Sequence, residues 1–293
     1  MSSNQQPIDP VGRSCPLCDE GDATPFTQKG SLRLVRCRRC SMIYADPVAP
    51  ELASGKFYDR LGLPFYLSPD KLAGDFAPVR FERELRWFQD YCRGGAVLDV
   101  GCSTGGFLFQ LKARFPGDFT VTGTDVAGAA LDYAESRGIE VIREPFLDFD
   151  FRNRRFDAVT FWAVVEHLIQ PKLVPNMKSL AVRLLGARYR YIMPDHVNYF
   201  TAGALRRFAA TEPAFEVVRL GQSHFNPLVI LKDFRRNQER VADPERARLL
   251  NRTTAFKQHP LLKPAKWLYN GVERLLAAMG LADNLIIVLR KKF

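Results

Sequence analysis

Histidine is scarce in this chain, with four residues among 293, so few positions can supply imidazole chemistry. Long apolar runs are absent. Nothing approaches the ~18 to 20 consecutive apolar residues of a membrane-crossing helix, and the stretches 225–231 and 284–289 read as a loop and a strand. Residues 1–14 are polar and lack an apolar core, so no secretory leader is expected and this stretch reads as disordered. No internal repeat or low-complexity tract is present. Cysteine is also sparse. Four of the six fall in two Cys-x-x-Cys pairs, which argues against a disulfide scaffold and for metal binding in a reducing compartment. A cytoplasmic location follows as the expectation.

Acidic residues are outnumbered. Forty-two Lys and Arg face 32 Asp and Glu, leaving +10. Such a charge attracts RNA, phosphorylated sugars or an anionic membrane surface, and it also serves plain solubility. The apolar share of 46% and charged share of 25% are ordinary for a globular protein with a buried core. The length suits one α/β domain with a small appendage.

Cys15-x-x-Cys18 and Cys37-x-x-Cys40 are separated by 18 residues. This is the spacing of a zinc ribbon, in which two knuckles grip one tetrahedral ion, with iron as the lesser rival. Four thiolates fill the coordination sphere, so the metal's role is structural. Arg33, Arg36, Arg38 and Arg39 crowd the second knuckle, where they steady the thiolate charge or meet an anionic partner. Cys92 and Cys102 stand alone and read as packing residues.

The expected organisation is a disordered leader over residues 1–14, a zinc ribbon over 15–50, a helical lid or linker over 51–95, and a catalytic-type domain over 96–293 with a helical insertion at about 225–280. Aromatics at 57–76 suit a lid or a substrate wall. From residue 96 short apolar strands alternate with helices: strands at 96–100, 119–124, 140–142, 156–162, 189–193, 215–220 and 284–289, and helices at 107–114, 127–137, 171–185 and 201–211. Alternation at this spacing predicts an α/β fold, a Rossmann-like doubly wound seven-stranded sheet covered on both faces, with the zinc ribbon appended in front.

The most informative segment is Asp99-Val100-Gly101-Cys102-Ser103-Thr104-Gly105-Gly106. A buried strand runs through a small-residue turn into a helix, at the sheet edge where doubly wound folds bind ligands. Asp99 precedes the first glycine, placed to meet a positive amino group. Asp125 closes the second strand, 24 residues after Gly101, where a carboxylate accepts from ribose hydroxyls or caps the next helix. The glycine spacing departs from the G-x-G-x-x-G of pyrophosphate loops, and a carboxylate there would repel phosphate. A cationic ligand fits better.

The segment resembles the first motif of class I methyltransferases that use S-adenosylmethionine (SAM), written D-x-G-C-G-x-G, with Ser103 in place of the middle glycine. Phe156-Asp157-Ala158-Val159, Trp162 through Leu168, and Met193-Pro194-Asp195-His196 through Thr201 resemble later segments of that family. The resemblance covers residues 96–220. It implies that Gly101, Ser103 and Gly105 contact the methionine part of SAM together with Asp99. It implies further that Asp125 binds the ribose, that Glu144 flanks the adenine, and that Trp162 belongs to the cofactor site.

Methyl transfer from a sulfonium needs alignment, and for a hydroxyl or carbon acceptor a base as well. His196 is the first candidate, with Asp195 to orient it and Tyr199 to assist, and His167 is the runner-up. Against these stand blander roles: His196 holding a loop backbone, and His167 packing or capping. The zinc ribbon with Asp195-His196 and Tyr199-Phe200 also resembles sugar C-methyltransferases, whose long carboxyl-terminal domain this chain is too short to contain. The general group of bacterial zinc-knuckle methyltransferases of glycan and natural-product pathways is nearer.

The leading expectation is therefore a methyltransferase acting on a small-molecule or glycan acceptor, with an anionic handle expected from the basic composition. A ribosomal or transfer RNA acceptor is the second reading, suggested by charge and the zinc ribbon, although the arginines are dispersed and no aromatic-basic RNA motif stands out. A catalytically inactive binding module is the third. Residues 261–281 set Trp267, Leu268, Val272, Leu275 and Leu276 on one helical face, which suits core packing, a dimer contact or a peripheral membrane contact.

Overall fold

A computed structural model describes residues 12–49, 52, 57–58, 62–168, 176–235, 243–259 and 263–292. In chain order the strands are β1 (Ala23–Lys29), β2 (Leu32–Cys37), β3 (Ile43–Ala45), β4 (Gly95–Val100), β5 (Phe119–Thr124), β6 (Glu140–Ile142), β7 (Ala158–Thr160), β8 (Asn198–Tyr199), β9 (Phe215–Ser223) and β10 (Asn284–Lys291). The helices are α1 (Pro69–Asp75), α2 (Glu82–Gln89), α3 (Gly106–Arg114), α4 (Gly128–Ser136), α5 (Leu180–Leu185), α6 (Ala202–Ala210), α7 (Pro227–Arg235), α8 (Asp243–Gln258) and α9 (Lys263–Ala278). The chain divides into two compact units. One gathers Met1–Ser54, Val165–Arg240 and Trp267–Phe293, the other Gly55–Val164 and Val241–Lys266.

The second unit holds the parallel sheet, in the order β6-β5-β4-β7. Strand β4 is apolar on both faces because both are covered. Val97 packs with Phe107, Leu108, Leu111, Val121, Leu131 and Ile139. Its neighbours Leu98 and Val100 point the other way, into a cluster with Ile142, Phe146, Phe151 and Phe161. This α/β unit with a parallel sheet is the fold class expected from the alternation.

The expected count of seven strands is not met among the described residues. Residues 189–193 form a turn instead of a fifth strand, with the N–H of Ile192 donating to the carbonyl of Tyr189 at 3.0 Å. Two long-range partners explain it. Lys29 Nζ donates to the carbonyls of Tyr189 and Ile192 at 3.1 and 2.9 Å. Arg190 is tied to Asp233 through its backbone N–H and its guanidinium, at 2.9 and 2.6 Å. These claim groups that a ladder would need. The last two strands, β9 and β10, pair antiparallel with each other. The expected helix over 171–185 begins among residues outside the described ones. Its described part is α5, where Ser179 accepts from the N–H of Val182.

In the first unit β1, β2, β3 and β8 form one antiparallel sheet. Ile43, Tyr44 and Ala45 of β3 are all buried, so this strand needs cover on both faces and a neighbour on each edge. Residues 15–49 are therefore not a detached appendage: Ile43 pairs with Tyr199 and Tyr44 with Asn198. Cys15, Cys37, Cys40, Met42 and Tyr44 share a core with Phe200, Leu205 and Leu285.

Candidate functional site

Strand β4 ends at Val100 and the chain turns through Gly101, Ser103 and Gly105, with φ of 72°, 52° and 77°. A Cβ on Gly101 would lie 2.3 Å from Val164 Cγ2, so glycine is required there by space as well as by φ. Ser103 takes a left-handed conformation that costs an L-residue about 1 kcal/mol or more. Asp125 holds it. Its Oδ2 accepts the Ser103 N–H at 2.8 Å and its Oδ1 the Ala127 N–H at 2.9 Å. Asp125 thus fixes the residue just before α4 and braces the glycine turn at once. Burial raises its pKa, while the N–H groups of Ala127 and Ser103 oppose the rise. Two of its roughly four acceptor directions are used in this way.

Asp99 is 2% exposed and accepts from Thr160 Oγ1 at 2.7 Å. Burial pushes its pKa up to about 7, opposed by the Thr160 bond and reinforced by the negative charge of Asp125. Two further buried polar atoms of this unit, Ser103 Oγ and Trp162 Nε1, find no hydrogen-bond partner among the described residues. The Trp162 ring packs on Phe107 with centroids 5.2 Å apart. Unsatisfied polar atoms and an uncompensated buried carboxyl beside a glycine turn are what a polar, cationic ligand would satisfy. Glu144 is exposed, and its carbonyl accepts from Thr124 Oγ1 at 3.3 Å.

The four paired cysteines converge. Cys15 Sγ lies 3.4 Å from Cys40 Sγ, and Cys18 Sγ 3.5 Å from Cys37 Sγ. All four sulfurs lie within 4.8 Å of one another. A zinc ion with bonds of ~2.3 Å spaces tetrahedral sulfurs by about 3.8 Å, so the donor set and spacing fit such an ion. The N–H of Cys40 points at Cys37 Sγ at 3.4 Å. Burial disfavours the Cys37 thiolate, but this bond and the neighbouring thiols outweigh it and lower the pKa. Burial raises the thiols of Cys15 and Cys40.

The histidines singled out by sequence also come together. His167 and His196 have ring centroids 4.8 Å apart, and Tyr191 stacks against His196 at 6.2 Å. His167 Nδ1 lies 2.6 Å from the carbonyl of Asp195. A carbonyl only accepts, so Nδ1 is the donor in this contact. Glu166 completes the group. Its ligand oxygen and one nitrogen from each histidine lie within 4.8 Å of one another. Glu166 is buried, which raises its pKa against the pull of His167. Tyr199 is buried beside them, its hydroxyl occupied by Met193: it accepts from that N–H at 3.2 Å and donates to that carbonyl at 3.3 Å. Sequence reasoning quoted Glu166 within a motif without giving it a role. The available signal was a carboxylate next to one imidazole, with a second Asp-His pair downstream.

Residues 97–186 match the family described as a methyltransferase domain. That segment is similar to methyltransferase domains. Among relatives, the probable tRNA methyltransferase 9B of Mus musculus is 30% identical over 120 residues, which is 41% of this chain and 24% of that protein. Its Homo sapiens counterpart is 24% identical over 129 residues, 44% of this chain and 26% of that protein. The matched segment thus spans about a quarter of the length of these relatives. Among solved structures, a SAM-dependent methyltransferase of Thermotoga maritima, described as a possible histamine N-methyltransferase, is 16% identical with a TM-score of 0.41, covering 59% of this chain and 82% of that one. The cyclopropane synthase MmaA2 of Mycobacterium tuberculosis is 15% identical with a TM-score of 0.42, covering 68% and 93%.

Proposed function

We propose that the protein transfers the sulfonium methyl of SAM to a small-molecule or glycan acceptor such as a sugar or nucleotide sugar. The observation that carries this is the braced glycine turn, with Asp99 and Asp125 buried on either side of it in a segment that matches a methyltransferase domain. SAM supplies an activated methyl whose C–S bonding pair returns to sulfur as the acceptor's lone pair forms the new bond. The backbone of Gly101, Ser103 and Gly105 lines the methionine part, Asp99 meets its ammonium and Asp125 accepts from the ribose. Glu144 flanks the adenine, and Trp162 belongs to the cofactor site. We assign loss of the acceptor's proton to His196, oriented by Asp195 and assisted by Tyr199, with His167 as the second candidate.

Cys15, Cys18, Cys37 and Cys40 are proposed to hold a structural zinc. Reduced paired cysteines fit a cytoplasmic address. No helix among the described residues is long and apolar enough to cross a membrane. An RNA acceptor is the second reading, favoured by the match to the probable tRNA methyltransferase 9B proteins. Incubation with methyl-labelled SAM and separate pools of nucleotide sugars and tRNA decides between them. Label in the sugar pool supports the first reading, and label in tRNA replaces it with the second. Label in neither, from protein that binds S-adenosylhomocysteine, points to an inactive binding module.

A further inference from the structure

We propose that Glu166, His167 and His196 form a second metal site, an open one, for a divalent first-row cation of the Mn2+, Fe2+, Co2+ or Zn2+ kind. The three ligand atoms lie within 4.8 Å of one another, an upper bound close to the ~4 Å that two bonds of ~2.0 to 2.2 Å span across one ion. Two imidazoles and one carboxylate suit these metals, whereas a set of oxygens alone would suit magnesium or calcium.

The surroundings point the same way. Metal-binding histidines commonly donate their second ring N–H to a carbonyl, which fixes the tautomer and directs the lone pair at the ion. His167 has this arrangement, with Nδ1–H on the Asp195 carbonyl at 2.6 Å. The two segments that supply the ligands are sewn together next to the ligands themselves. The N–H of Val197 and that of Asn198 donate to the carbonyl of Glu166 at 2.8 and 3.2 Å. Asn198 Nδ2 bridges the carbonyls of Val165 and Leu168 at 3.3 and 2.5 Å. Arg13 in turn donates to Asn198 Oδ1 at 2.9 Å and to the carbonyl of Val197 at 2.5 Å. A donor set held this firmly loses little freedom on binding an ion.

Charge adds a further reason. Glu166 is 7% exposed, and a buried carboxylate is costly without a cation. Three protein ligands leave coordination positions for oxygens of a bound molecule.

The test titrates Mn2+ into protein that carries no more than one zinc per chain and follows loss of the free-ion electron paramagnetic resonance signal. One bound Mn2+ per chain is expected, with nitrogen-14 modulation of its echo signal from coordinated imidazole. Glu166→Gln and His167→Gln should weaken binding at least tenfold, while zinc content and melting temperature show that each variant is folded. The wild-type echo signal needs no variant. Absence of Mn2+ binding, or binding without nitrogen modulation, overturns the proposal. S-adenosylhomocysteine titration of the same samples tests the methyltransferase reading separately, because its failure leaves the Mn2+ result standing.

Discussion

Asp125 Oδ2 accepts the N–H of Ser103 at 2.8 Å and holds it at φ 52°, at the place where the resembling motif has glycine. The carboxylate therefore keeps in a left-handed turn a residue that would otherwise leave it. Ser103→Gly removes the strain and should change S-adenosylhomocysteine affinity by no more than about twofold. Ser103→Val puts a β-branched side chain at positive φ, where it is a genuine outlier, and should weaken binding at least tenfold. Calorimetric titration of both variants checks this, and equal affinities would refute it.

Asp99 gives the site a pH dependence. Its carboxyl is pushed up to about 7 by burial, and a ligand ammonium binds only the ionised form. Affinity for S-adenosylhomocysteine should therefore rise with pH below about 7 and level off above it, while Asp99→Asn binds weakly and without that slope. Stability runs the other way. A raised carboxyl pKa stabilises the ligand-free fold below the unfolded value near 3.8 and that contribution is lost as pH rises through about 7, a swing of about 4 kcal/mol. Melting temperatures of wild type and Asp99→Asn between pH 4 and 8 should diverge accordingly.

Arg190 and Asp233 form a bidentate pair whose side chains are 9% and 7% exposed. Asp233→Ala leaves a buried guanidinium unpaired and should cost about 3 to 5 kcal/mol. Replacing both, as Arg190→Met with Asp233→Leu, should recover most of that loss. Urea denaturation of the single and double variants measures the difference.

Sequence reached some of this and missed the rest for identifiable reasons. Strand β5 and strand β6 fall where alternation placed them, because both are set by local apolar pattern. The glycine turn was legible since its residue types answer a local backbone demand. Residues 189–193 were not, because Lys29 and Asp233, 160 and 43 residues away from their nearer partners, decide their conformation. The joining of β3 to β8 was equally invisible, since two paired residues carry no periodicity. Glu166 became a site residue only when His196 was brought beside it.

Removal of the zinc proposed at the cysteines should reach beyond them. Cys15, Cys37 and Cys40 share a core with Tyr44 and Phe200, and β3 pairs with the strand that follows His196. Chelation, or Cys37→Ser, should lower the melting temperature by 10 °C or more and weaken Mn2+ binding at the histidine cluster. Melting curves with and without chelator, read beside metal analysis, check it; a chelated protein with unchanged melting and one zinc lost would contradict it.

Calorimetric titration of zinc-loaded protein with S-adenosylhomocysteine, with Asp125→Ala as the paired variant, tests the central claim most directly. The account predicts one site of micromolar-range affinity in the wild type and its loss in the folded variant. Absence of binding by folded wild-type protein, or equal binding by the variant, would contradict the assignment of the glycine turn and Asp125 to the cofactor.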